Sequence, residues 1–209
     1  MEKKNRKKGK SIKRRDFLKG FGSGAVGVAV APKFSVQEKK TISTEEGDIP
    51  VYSKKKISLL INGKKHTFSV EPRETLLDVL REKLNITGPK KICNHGECGG
   101  CTVLLEGQPV YSCMYLAVRA DGQRITTVEG LAEGNKLHPI QEAFIEKDGY
   151  QCGFCTSGFI MSTLALLHKN KNPDLGEIKE AFSGNLCRCG NYPKIFDAVS
   201  EAAKKMRGG

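Results

Sequence analysis

The stretch Cys93-Asn94-His95-Gly96-Glu97-Cys98-Gly99-Gly100-Cys101, completed by Cys113, decides how this sequence is read. Its thiols follow a Cys-x4-Cys-x2-Cys spacing, with Gly96, Gly99 and Gly100 set among them. Four thiolates satisfy a tetrahedral zinc or a [2Fe–2S] cluster, and the eight cysteines of the chain could instead pair as disulfides in an oxidising compartment. The glycines help to discriminate. A backbone that bends tightly and turns its N–H groups toward cluster sulfur needs residues without a Cβ, whereas a zinc site does not require that loop.

Working outward, the segments on either side supply a scaffold. Lys56-Ile61 and Lys65-Val70 are rich in β-formers and joined through Asn62-Gly63, a pair that tolerates positive φ and marks a hairpin. Leu76, Leu77, Leu80 and Leu84 then recur at helical spacing, with Thr75 and Asp78 placed as a capping box, which predicts a helix over Thr75 to Leu84. Strands are expected at Thr102-Leu105, Val110-Cys113 and Arg124-Val128, separated by Glu106-Gly107 and Asp121-Gly122 turns. Hairpin followed by helix suggests a β-grasp arrangement. The Cys93, Cys98, Cys101, Cys113 pattern is the plant-type ferredoxin spacing with a shorter gap to the fourth ligand, so scaffold and motif agree.

After Gly130 the character changes. His138 to Lys147, Ser157 to Lys169, Leu175 to Phe182 and Tyr192 to Met206 read as helices, with Phe159, Ile160, Thr163, Leu164 and Leu167 forming a stripe on the second. Here stands the second cysteine set, Cys152-Gly153-Phe154-Cys155 at one helix start and Cys187-Arg188-Cys189 at another. Helix N-termini carry partial positive charge, which favours thiolates. Zinc remains the alternative for this set. The fold class expected is therefore α+β: residues 56–130 a β-grasp, ferredoxin-like domain and residues 131–209 a small four-helix domain. Two halves of that size are marginal on apolar burial alone, and the cysteines are the obvious staples.

Composition narrows the function classes. The chain has 209 residues, 38% of them hydrophobic, enough for a core or two small ones. It has no Trp and no apolar run of about 20 residues, which excludes a polytopic membrane protein. The net charge of +12 is local: residues 1–31 hold ten Lys/Arg against two Asp/Glu. A nucleic-acid reader spreads its basic residues over a folded face, so no nucleic-acid partner is expected. Instead Ser11-Ile12-Lys13-Arg14-Arg15-Asp16-Phe17-Leu18-Lys19 precedes a Gly/Ala/Val run to Ala31, the layout of a signal peptide. The adjacent arginines resemble a twin-arginine export signal, although Lys13 stands where Ser or Thr is usual. Ala29-Val30-Ala31 fits a cleavage site; left uncleaved, the segment would tether the chain to the membrane. Gly22-Ser23-Gly24-Ala25-Val26-Gly27 matches a dinucleotide fingerprint by letter only, since no strand precedes it. Residues 32–55 read as a linker.

Both cysteine sets in this order, together with Gln151-Cys152-Gly153-Phe154-Cys155-Thr156 and Gly184-Asn185-Leu186-Cys187-Arg188-Cys189, resemble the iron–sulfur subunit of the molybdenum hydroxylases, the xanthine oxidase and aldehyde oxidoreductase family. The resemblance covers about Lys56 to Met206. It departs at Ser157, where the family usually has Pro, and at Gly190-Asn191, where Thr-Gly is frequent. It implies two [2Fe–2S] clusters, a distal one on Cys93, Cys98, Cys101 and Cys113 and a proximal one on Cys152, Cys155, Cys187 and Cys189. A large partner would carry molybdenum–pterin and oxidise an aldehyde or N-heterocycle, with Gln151 and Cys189 lying against the pterin. Electrons would leave for a flavin subunit or a cytochrome-type acceptor, and no substrate site is expected on this chain. With the signal, the resemblance implies a periplasmic complex. Rival readings are a free-standing two-cluster carrier and a zinc- or disulfide-stapled binding module. His95, inside the first loop, is expected to face solvent or the acceptor, and Arg188 either to tune a potential or to pair with a carboxylate.

Overall fold

The computed structural model describes residues 53–208. The twin-arginine motif, the cleavage site, the Gly22–Gly27 run and most of the linker lie outside them. The described residues form one compact unit. It opens with the hairpin β1 (Lys55–Ile61) and β2 (Lys64–Val70), then α1 (Leu76–Asp78) running directly into a π-helical turn, Val79–Lys83. The strands β3 (Thr102–Leu105), β4 (Gln108–Tyr111) and β5 (Arg124–Thr126) complete a sheet of order β2-β1-β5-β3-β4. β1 and β5 run parallel and the other pairs antiparallel.

Turn chemistry accounts for the strand ends. Asn62-Gly63 and Glu106-Gly107 have φ of 48° and 77°, and 48° and 80°, two consecutive left-handed residues as a type I′ turn requires. The partner strand therefore begins immediately after each turn, at Lys64 and Gln108, earlier than the β-propensity alone suggested. β4 stops at Tyr111, so Cys113 lies past the strand end rather than within it. β5 stops at Thr126 and the chain enters a 3-10 turn, Val128–Leu131; a second, Ala117–Ala120, carried no periodic signal.

The helix expected over Thr75 to Leu84 also differs. Its capping box is present: the Asp78 N–H donates to Thr75 Oγ1 and the Asp78 carboxylate accepts from the Thr75 N–H. Only three residues are α-helical, because the Leu84 N–H donates to the Val79 carbonyl, five residues back, at 3.2 Å. A wider turn leaves the apolar positions clustered, so leucine spacing alone cannot distinguish the two helix types.

α2 (Pro139–Glu146), α3 (Thr156–Lys169), α4 (Leu175–Ala181) and α5 (Tyr192–Gly208) make the helical half. α3 has no single apolar stripe: Ser157 through Ala165 and Leu167 are all buried. The cause is its position in the middle, against β3 and β4 as well as the other helices. β3 is the shared wall. Successive side chains of a strand point to opposite faces, so Val103 and Leu105 enter the core under the sheet while Leu104 joins the helical core. That sharing explains why Thr102–Leu105 is apolar on both faces, and Gly158 of α3 completes the contact: a Cβ there would overlap the Gly99 carbonyl.

Candidate metal centres

The two quartets resolve into four thiol pairs: Cys93 with Cys98, Cys101 with Cys113, Cys152 with Cys189, and Cys155 with Cys187. Cys152 and Cys189 sulfurs stand 3.5 Å apart. Among the described residues no group of three or more His, Cys, Asp or Glu side chains gathers round one point. Pairs of thiols, two per half, are what two tetrahedral irons sharing bridging sulfide need, each iron taking two cysteines. A single zinc needs all four around one ion. All eight cysteines are free thiols.

Local sequence explains the first quartet. Asn94, Gly96 and Gly99 take φ of 58°, 82° and 66°, so the chain curls around the sulfurs. At Cys93 burial pushes the thiol up, but N–H groups of His95, Glu97 and Cys98 and the Cys98 thiol outweigh it and bring it down to about 6. The loop thus stabilises a thiolate, as the three glycines suggested. Cys113 behaves oppositely: burial, then the Cys101 thiol beside it, pushes it up to about 11.

The helical quartet divides in the same way. Cys155 is the N-cap of α3, and burial followed by contact with Cys187 pushes it up to about 12. Cys152 is lowered by the Phe154 N–H and then by Cys189, while Cys189 is raised, chiefly by its bond to Cys152. Cys187 sits ahead of α5, its own N–H donating to Tyr192 Oη at 2.9 Å and its sulfur accepting from the Asn191 N–H at 3.4 Å. The Thr156 and Ser157 hydroxyl oxygens, beside Cys155, are buried without hydrogen-bond partners among the described residues. Paired soft donors, amides aimed at sulfur and spare hydroxyls all suit an iron–sulfur group. Neutral buried thiols must deprotonate on loading, so metal uptake here releases protons.

Of the other expected site residues, Gln151 is exposed and its amide donates to Asn191 Oδ1 at 3.4 Å, which puts it beside the helical quartet. His95 is exposed, and Arg188 is exposed with no ion pair among the described residues. Several residues carried no warning in the spacing. Asn191 bridges Gln151, the Asp148 carbonyl at 2.8 Å and the Cys187 sulfur. The Leu186 N–H donates to the Cys98 carbonyl at 3.0 Å and joins the two quartets directly.

A mixed sheet and a helical bundle, each holding two thiol pairs, define a two-centre iron–sulfur protein, and sequence comparison agrees. The 2Fe-2S iron-sulfur cluster binding domain family matches residues 59–132 and the [2Fe-2S] binding domain family residues 127–200. The aldehyde oxidoreductase iron-sulfur-binding subunit PaoA of Escherichia coli O157:H7 is 40% identical, the alignment covering 94% of this chain and 90% of that protein. The nicotine 6-hydroxylase small subunit of Paenarthrobacter nicotinovorans is 49% identical over 70% of this chain and 88% of its own. Among solved structures, quinoline 2-oxidoreductase from Pseudomonas putida 86 matches with a TM-score of 0.71 and 46% identity, covering 75% of this chain and 98% of that one. The chain belongs to the iron–sulfur small subunits of the molybdenum hydroxylases. It is an electron-transfer subunit with two [2Fe–2S] domains, working with a large molybdenum-binding partner.

Proposed function

We propose that Cys152, Cys155, Cys187 and Cys189 hold the cluster that faces the molybdenum partner, and that Cys93, Cys98, Cys101 and Cys113 hold the one that passes electrons on. Bound there, each cluster takes up and releases single electrons, which links a two-electron substrate oxidation to a one-electron acceptor; zinc has no such chemistry. The observation that carries the orientation is exposure. Cys152 and Cys189 lie open at the surface, and Phe154, Leu186 and Tyr150 around them are 61%, 53% and 43% exposed. Exposed apolar side chains flank the other quartet too, Met114 at 63% and Ile92 at 44%, but only at the helical quartet does a whole thiol pair lie open with them, which favours this face for the partner. Gln151, held by Asn191 on the same face, then meets the pterin.

An aldehyde is the substrate class favoured. The PaoA alignment takes in 94% of this chain and so runs well into the N-terminal segment, whereas the alignment with the nicotine-hydroxylase subunit takes in 70%. Export by the twin-arginine route rests on Arg14-Arg15 ahead of the Gly/Ala/Val run, and suits a subunit loaded before crossing the membrane. The onward acceptor is a flavin subunit or a cytochrome-type carrier. Phe154→Asp tests the orientation in the co-expressed complex: the molybdenum-binding subunit should no longer co-purify, while Met114→Asp, beside the other quartet, leaves it bound. The reverse result would turn the chain round.

A further inference from the structure

Efficient transfer between two centres in one chain requires the loops that carry them to keep a fixed separation. The loop leading to Cys187 is tied to the first quartet at three points. Leu186 N–H donates to the Cys98 carbonyl at 3.0 Å, Asn185 Nδ2 to the Gly99 carbonyl at 3.4 Å, and Tyr111 Oη to the Gly184 carbonyl at 2.9 Å. The third tie differs in origin. Tyr111 ends β4, two residues before Cys113, and packs against the cluster of Leu77, Cys101 and Cys113. One side chain thus reaches from the strand that delivers a cysteine of one centre to the loop that delivers a cysteine of the other.

Gly184 is shaped to this contact. A Cβ at that position would overlap the Tyr111 hydroxyl oxygen and come within 3.1 Å of the ring carbon that bears it. Beside the hydroxyl is a cavity of about 240 Å³ lined by Thr102, Tyr111, Ser162 and Asn185 among others. That is room for water to enter the space that removing the hydroxyl would open.

We propose that Tyr111 is a positioning residue for transfer between the two centres: its hydroxyl, seated on a carbonyl where only glycine fits, holds Leu186 N–H against the Cys98 carbonyl. The inference rests on the two-cluster reading above. It is tested in the purified complex reduced with dithionite, by the magnetic splitting between the two reduced clusters in low-temperature EPR, with iron counted per chain. Tyr111→Phe should keep full iron and lose part of the splitting, and Gly184→Ala should lose more. In the double variant Tyr111→Phe/Gly184→Ala the overlap with oxygen is gone, so the splitting should recover above that of Gly184→Ala alone. Should Gly184→Ala fail to assemble, Tyr111→Phe, which removes one oxygen atom, decides. Full iron with unchanged splitting in Tyr111→Phe, or simply additive losses in the double variant, overturns the proposal. An unaltered chain without two clusters overturns instead the reading beneath it.

Discussion

In the β-rich half a glycine-bearing loop and the residues past a strand end close over the thiols, leaving Cys98, Cys101 and Cys113 buried and Cys93 partly open. In the helical half the thiols sit ahead of two helices, and a whole pair, Cys152 and Cys189, is exposed while Cys155 and Cys187 are buried. The scaffolds give the reason. A curled loop can wrap all its amides around sulfur, whereas a helix N-terminus aims its N–H groups in one direction and leaves the far side for something else to cover. The difference teaches that the two scaffolds expose their thiols unequally: a whole pair is open in the helical half, and only Cys93, in part, in the β-rich half.

The largest effect should come from treating the quartets as separable. Cys155→Ser should remove one of the two EPR signals of the reduced protein and lower iron from about four atoms per chain to about two, while Cys98→Ser removes the other signal. Both signals surviving Cys155→Ser would break the assignment. A smaller effect is expected where the halves meet. Gly158→Ala forces a methyl against the Gly99 carbonyl and should cost about 1–3 kcal/mol in urea unfolding of the complex, the range for overpacked contacts. No loss would show that the halves can part without strain.

The smallest effect separates the halves by acid. Both halves use capping boxes, Thr75 and Asp78 in one, His138 with Gln141 and Asp174 with Glu177 in the other, and among these only His138 is a histidine, its Nδ1 accepting from the Ile140 N–H at 3.2 Å. Burial, then the nearby charge of His168, hold the His138 pKa below its ordinary 6.5, against the opposing pull of Glu142. The unfolded chain therefore takes up the proton first. The cap's contribution is whole above pH 6.5 and is lost as pH falls below it, by about 1 kcal/mol, the usual worth of a cap. Chemical denaturation at pH 7 and pH 5.5 should show this step, and His138→Asn, which caps without titrating, should abolish it.

Much of the fold was legible because its signals are local. The Asn62-Gly63 and Glu106-Gly107 turns, the Thr75 to Asp78 box and the four helices of the second half all depend on residues within a few positions of one another. The stripe on α3 is buried as expected, but burial of its other faces was not legible because it comes from packing partners distant in sequence. The π-turn was missed because Leu76, Leu77 and Leu80 suit either helix. Among site residues, the cysteines stood out by spacing and Gln151 through the family resemblance, whereas Tyr111, Asn191 and Leu186 did not, since each acts through a bond to a residue far along the chain.

The sequence by itself determined which chemistry the chain can hold, because thiol number, spacing and intervening glycines restrict the metal group before any folding is considered. Only the tertiary structure decided how the thiols pair, which pair stays exposed and which carbonyl joins the two centres. Those are matters of through-space approach across β3 and α3, and such approaches are set by the packing of the two cores rather than by any stretch of neighbouring residues.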